Sequence, residues 1–209
     1  MKRILCFGDS NTWGFDPRFG TRQPESVRWT GRLQNAMPQI QVIPEGENGR
    51  TTLLDDLMGG CRNGKEALLP CLQKYCPVDW VLLMLGINDC KTRLGLSAKE
   101  IAEGVKVLAE MVQHSKCGPN GNAPKVLILC PPAMKYRENA GIPWDFNEHT
   151  NGVSRELEPE LKKVAAQLQC EFLDLNLFVQ PGAVDGIHLD AKGHATVAEA
   201  VEGKLLELL

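Results

Sequence analysis

The sequence has no apolar run approaching the ~18–20 residues of a membrane-spanning helix, so no membrane partner is expected. It lacks any concentration of positive charge. Its 23 Lys and Arg against 26 Asp and Glu give a net charge of -3, and no basic cluster offers the footprint of a nucleic-acid binder. Repeats, low-complexity tracts and linkers are also missing, so 209 residues lead to the expectation of one domain over 1–209. A chain of that length buries roughly 70% of the surface its unfolded form exposes, so it needs no disulfide or metal staple. The N-terminus carries two basic residues, Lys2 and Arg3, but its apolar run of four residues is too short for a secretory h-region. It reads as a buried strand of a cytoplasmic protein. The eight cysteines (6, 61, 71, 76, 90, 117, 130 and 170) are scattered, which favours reduced core thiols over disulfides. Cys71 and Cys76 have no matching His or Cys pair, so neither a zinc site nor any other metal or cofactor is expected.

What is present is an alternation of two periodicities. Five short apolar runs, Ile4–Phe7, Ile40–Ile43, Trp80–Leu85, Val126–Cys130 and Glu171–Leu175, read as strands. The third and fourth are near-continuous, as in strands buried on both faces of a parallel sheet. Between and after them, Ile101, Val105, Leu108 and Val112 trace one helical stripe. Leu157, Leu161, Val164 and Leu168 trace a second, and Val197, Val201, Leu205 and Leu208 a third. Ser97 with Glu100 predicts a capping box, and Pro159 either sits in a first helical turn or kinks its helix. Strands alternating with helices predict an α/β fold, a doubly wound parallel sheet with helices on both faces. Two segments, 15–28 and 131–150, read as loops over the carboxyl edge of the sheet, where open α/β folds bind ligands.

Four blocks could carry chemistry, and each has a plainer reading. Gly8-Asp9-Ser10 ends the first strand, so the Ser10 hydroxyl either projects into the crevice or merely caps the next helix. Asn48-Gly49 follows the second strand as an ordinary turn or as an N–H aimed at the same crevice. Gly86-Ile87-Asn88-Asp89 follows the third, where the Asn88 amide is a candidate oxyanion donor and Asp89 pins the loop. In Asp185-Gly186-Ile187-His188 the carboxylate either orients the imidazole or caps a helix. His194 reads as a structural residue in the first turn of the last helix. Trp13 and Phe15 flank the Ser10 block, while Trp29 and Trp144 fall in or beside the irregular segments. All four rings could dry the crevice or simply pack the core.

The four blocks in this order resemble the SGNH hydrolases, or GDSL esterase/lipase family, over residues 5–194. Gly8–Gly14, Val27–Gly31, Gly49–Thr52 and Ala123–Leu127 look like its bacterial arylesterase/acyltransferase subgroup. The resemblance implies a flavodoxin-like three-layer αβα sandwich with five parallel strands in the order 2-1-3-4-5. It implies Ser10 as nucleophile, His188 as general base and acid, and Asp185 as its orienter. The oxyanion hole would be the Ser10 N–H, the Gly49 N–H and the Asn88 side chain, with Asp9, Trp13 and Asn48 at the substrate. The expected activity is hydrolysis of small aryl or short-chain esters without a cofactor, with possible acyl transfer to alcohols, by a homo-oligomer. A sugar O-acetyl esterase or thioesterase with the same triad is the alternative. A flavodoxin-like FMN-binding protein leaves Asp185, His188 and Asn88 unexplained, and a catalytically dead interaction protein is at odds with the intact set.

Overall fold

The computed structural model describes residues 1–136 and 145–209. Trp144 lies outside the described residues. Five strands form one parallel sheet: β1 (Lys2–Gly8), β2 (Ile40–Gly46), β3 (Trp80–Met84), β4 (Lys125–Cys130) and β5 (Glu171–Asp174). They lie side by side as β2-β1-β3-β4-β5. The helices are α1 (Ser10–Trp13), α2 (Trp29–Ala36), α3 (Gly64–Tyr75), α4 (Ala98–His114), α5 (Glu148–Arg155), α6 (Leu157–Leu168) and α7 (Ala191–Leu208). No helix of the described residues is long and apolar enough to cross a membrane. One detail of the chain order departs from the expected plan. A two-stranded antiparallel ribbon, Phe15–Asp16 with Thr21–Arg22, is inserted between β1 and β2 in the segment read as a loop.

The sheet is central because its three inner strands, β1, β3 and β4, are buried on both faces over most of their length. Every residue of β3 is buried, and so is β4 after Lys125. Alternate side chains therefore feed two cores. Leu5, Phe7, Val81, Leu83 and Ile128 pack with the inner faces of α3, α4 and α6. Ile4, Cys6, Leu82, Met84 and Leu127 pack with α2 and α7 on the other side. The α4 stripe is fully covered, with Ile101, Leu108 and Val112 at 0% exposure. Burying each such side chain is worth ~1.5–3 kcal/mol, most of which offsets the entropy of ordering the chain. The Ser97/Glu100 capping box opens α4, and Pro159 sits in the first turn of α6. α3 carries Pro70 in its interior and buries only Leu68 and Leu72 beside Gly64, which is why no stripe announced it.

The eight cysteines are unpaired, with Cys6, Cys90, Cys117 and Cys130 buried among apolar side chains. Of the two readings open for Trp29, the structure takes the core: it is the first residue of α2 and 0% exposed.

Candidate active site

Ser10 stands where β1 gives way to α1. The turn is tight because Gly8 has no side chain: a Cβ there would lie 2.2 Å from Thr12 Oγ1 and 2.9 Å from Met84 O. The cap of α1 is Asp9, not Ser10. Its side chain accepts the Asn11 N–H at 2.9 Å. The Ser10 hydroxyl is thereby free, and it donates to His188 Nε2 at 2.9 Å.

His188 closes the turn that Asp185 opens. Asp185 Oδ1 accepts the Ile187 and His188 N–H groups, each at 2.9 Å, while Oδ2 accepts His188 Nδ1–H at 2.5 Å. The proton on Nδ1 leaves Nε2 as the acceptor for Ser10. Gly186 takes φ +70, and a Cβ on it would lie 2.2 Å from Lys135 O. Burial raises the affinity of the Asp185 carboxyl for a proton. The hydrogen bond from His188, its charge and the two N–H groups outweigh that and hold the carboxyl below its ordinary range. Asn11 ties the two loops together: its Oδ1 accepts Leu189 N–H at 2.9 Å and its Nδ2 donates to Ile187 O at 3.3 Å.

Three donors follow the ends of β1, β2 and β3. Ser10 N–H is at the first position of a helix, where no intrahelical acceptor exists. Gly49, at φ +78, donates its N–H to no acceptor among the described residues. Asn88 donates from Nδ2 to Arg50 O at 3.2 Å, which leaves its second amide proton free. Arg50 locks the strand ends in place. It donates to Gly8 O at 2.8 Å and Glu45 O at 2.6 Å, with its guanidinium 4.1 Å over the Phe7 ring. Asp89 pins the loop after Gly49 to the turn that carries Asn88, accepting Thr52 N–H at 2.9 Å and Thr52 Oγ1–H at 2.6 Å. Burial pushes both Asp9 and Asp89 up to about 6.

These groups open on one cavity of about 370 Å³, whose lining includes Ser10, Asn48, Gly49, Asn88 and His188. Its apolar part is Phe15, Met58, Ile87 and Phe146. Phe15 leans on the His188 ring with centroids 4.6 Å apart. The outer wall is braced by Asp56, 1% exposed, which accepts Lys91 Nζ at 2.8 Å and Arg93 at 2.7 Å. Arg93 hydrogen bonds first, with Lys91 beside them, hold the Asp56 carboxyl far below its ordinary range. Arg93 also reaches Asp145 at 3.5 Å, so one residue spans the Met58 and Phe146 walls.

The structure thus brings Ser10, Asp185, His188, Gly49, Asn88 and Asn48 together. Asp9 and Trp13 are not on the cavity surface. Asp9 is 2% exposed beneath α1, and Trp13 lies behind Phe15, 6.4 Å from it, under Arg22. His194 is 0% exposed in the first turn of α7, accepts Trp29 N–H at Nδ1, and is pushed down to about 4 by burial. Asn11, the Arg50 guanidinium, Thr52 and Arg93 escaped sequence reasoning. Asn11, Arg50 and Thr52 lie inside the blocks Gly8–Gly14 and Gly49–Thr52, but nothing in those blocks announces their partners. Among the described residues no cluster of His, Cys, Asp or Glu is arranged to hold a metal.

A family model described as GDSL-like lipase/acylhydrolase matches residues 6–196. The inhibitor-bound aryl esterase of M. smegmatis superposes with a TM-score of 0.91 at 34% identity, covering 100% of both chains. Est24, a carbohydrate acetylesterase from Sinorhizobium meliloti, does so with a TM-score of 0.93 at 32% identity, again over 100% of both chains. No curated protein matches the sequence.

Proposed function

The chain belongs to the GDSL-like lipase/acylhydrolase family and is a carboxylesterase-type hydrolase, and from that premise we propose that it cleaves small carboxylic esters through an acyl-enzyme on Ser10. The observation that carries this is the hydrogen-bonded line from Ser10 Oγ through His188 to Asp185, on a cavity that Gly49 and Asn88 also line.

The steps follow from those atoms. His188 Nε2 takes the Ser10 proton as Oγ attacks the ester carbonyl. Asp185, held ionised, stabilises the imidazolium and keeps its Nδ1–H in place. The tetrahedral oxyanion receives the Ser10 N–H, the Gly49 N–H and one Asn88 N–H, donors fixed before the substrate arrives. The imidazolium then protonates the leaving alcohol, and a second nucleophile repeats the sequence in reverse to free Ser10. With Phe15 over the imidazole and Phe146, Ile87 and Met58 along the wall, the site disfavours water, and an alcohol competes as that nucleophile. The test is Ser10→Ala: folded protein with aryl-acetate turnover near background supports the reading, and turnover like wild type contradicts it.

A second reading concerns the leaving group. Asn48 lines the cavity, and its Oδ1 is buried with no hydrogen-bond partner. A buried acceptor left unpaired costs ~1–3 kcal/mol, which a donor on the substrate would recover. A polyol such as a partly acetylated sugar supplies that hydroxyl. Comparing acetylated sugars with phenyl acetate in wild type and Asn48→Ala decides it: a selective loss on the sugar ester supports the polyol, and an equal loss on both removes it.

A further inference from the structure

We infer that Arg62, which lines the cavity but bonds to no member of the relay, is a positioning residue for the transition state, holding the Gly49 N–H turned into the cavity by gripping the other side of the same peptide. The inference rests on the reading of Gly49 N–H as an oxyanion donor.

The segment Glu47-Asn48-Gly49-Arg50 is a β-turn closed by Arg50 N–H to Glu47 O at 3.2 Å. Gly49 has φ +78 while Asn48 is not among the positive-φ residues, and this makes the turn type II. Type I and type II turns differ by a flip of their central peptide, here Asn48–Gly49. The flip exchanges the sides on which the Asn48 carbonyl and the Gly49 N–H point. A trans peptide holds those two groups antiparallel, so fixing one fixes the other.

Arg62 Nη1 donates to Asn48 O at 2.9 Å. The carbonyl is therefore tethered on one side, and the N–H, which has no protein acceptor among the described residues, is presented on the other. Gly49 itself would tolerate either orientation, since it pays no penalty of a Cβ at positive or negative φ. The tether is what selects between them. Arg62 is fixed in turn: Thr51 N–H donates to Arg62 O at 3.0 Å, and Glu47 Oε1 lies 3.4 Å from the Arg62 Nε. A guanidinium on a carbonyl also draws charge along the peptide and makes its N–H a stronger donor.

The Arg62 side chain is about half exposed (47%), so the effect is one partly screened hydrogen bond. Its loss corresponds to about three- to tenfold in rate. The experiment measures kcat and KM for phenyl acetate, and the Ki of phenylboronic acid, whose adduct on a serine is a tetrahedral anion, in wild type, Arg62→Met and Arg62→Lys. The expected result is a three- to tenfold lower kcat in Arg62→Met with little change in KM, a Ki raised by a similar factor, and recovery of much of both in Arg62→Lys. Higher KM with kcat and Ki unchanged would overturn the inference and make Arg62 a substrate contact. Unchanged kcat and Ki would overturn it too, as would equal losses in Met and Lys variants. If Ser10→Ala retains turnover, the acyl-enzyme reading itself has failed, which is a separate outcome.

Discussion

The relay half of the site, Asp185 to Ser10, and the donor half, Gly49 to Asn88, face one cavity but are held by bonds of different reach. Asp185 makes its three hydrogen bonds within its own turn, to residues two and three positions away. The donor half joins loops that follow three strands, and it depends on buried charged groups acting at a distance: Arg50 on Gly8 and Glu45, Asp89 on Thr52, 37 residues earlier. A local turn preserves its geometry if the strands shift. The donors keep their aim only while the strand ends stay in register, so the donor half is expected to be the more sensitive to damage in its supports.

The largest test of that contrast is Asn88→Ala. Loss of one oxyanion donor lowers kcat by about 10²–10³. Steady-state kinetics on an aryl acetate should show this with KM little changed, whereas a change in KM alone would move Asn88 to substrate binding.

His194 supplies a control histidine six residues from the relay. It is buried neutral, with its folded value down at about 4 against 6.5 unfolded. Between those values the unfolded chain binds the extra proton, so the stability His194 allows is present above pH 6.5 and is lost as pH falls toward 4. The shift corresponds to about 3 kcal/mol. Asp9 and Asp89, raised to about 6, act in the opposite sense over about pH 4 to 6, so the comparison must be with a variant. The difference in unfolding free energy between wild type and His194→Gln should shrink by about that amount from pH 7 to 4. A constant difference would show that the imidazole is not held neutral.

Asn11→Ala removes the two bonds by which the loop after β1 holds the backbone on either side of His188. It leaves Leu189 N–H unsatisfied, costing about 1–3 kcal/mol of stability in a denaturant titration. The fall in kcat should be smaller than for Asn88→Ala, because the Asp185 turn still holds the imidazole. An equal or larger fall would reverse the ranking of the halves. The smallest expected effect is on partitioning. With a primary alcohol in buffer, the ratio of new ester to free acid should exceed the alcohol's mole fraction and drop severalfold in Phe15→Ala. A ratio at the mole fraction would leave a plain hydrolase.

The same contrast decides what the sequence discloses. The strands were legible because near-continuous apolar runs have few other places to go. Ile4–Phe7 and Val126–Cys130 lie within β1 and β4. The helix stripes of α4, α6 and α7 were legible for the same reason. α5 was not, since Glu148–Arg155 is mostly polar, and Pro70 hid α3. In the site, the residues proposed to do the chemistry sit in compact blocks, and the Asp185 turn lies within one of them. Their supports Asn11, Arg50 and Thr52 sit in the same blocks, but their partners do not announce themselves: Asn11 meets Leu189 across 178 residues, and a side chain bonded to a distant backbone group leaves no period or spacing to read. Trp29 shows the converse: its sequence position leaves crevice and core both open, and only the packing places it in the core.

The central claim is a covalent acyl-enzyme on Ser10, and intact-mass and peptide mapping after treatment with an aryl organophosphonate test it most directly. The account predicts one label per chain, on the peptide containing Ser10, with complete loss of esterase activity and no label on Ser10→Ala. Full inactivation with the label elsewhere, or a labelled Ser10 with turnover intact, would contradict it.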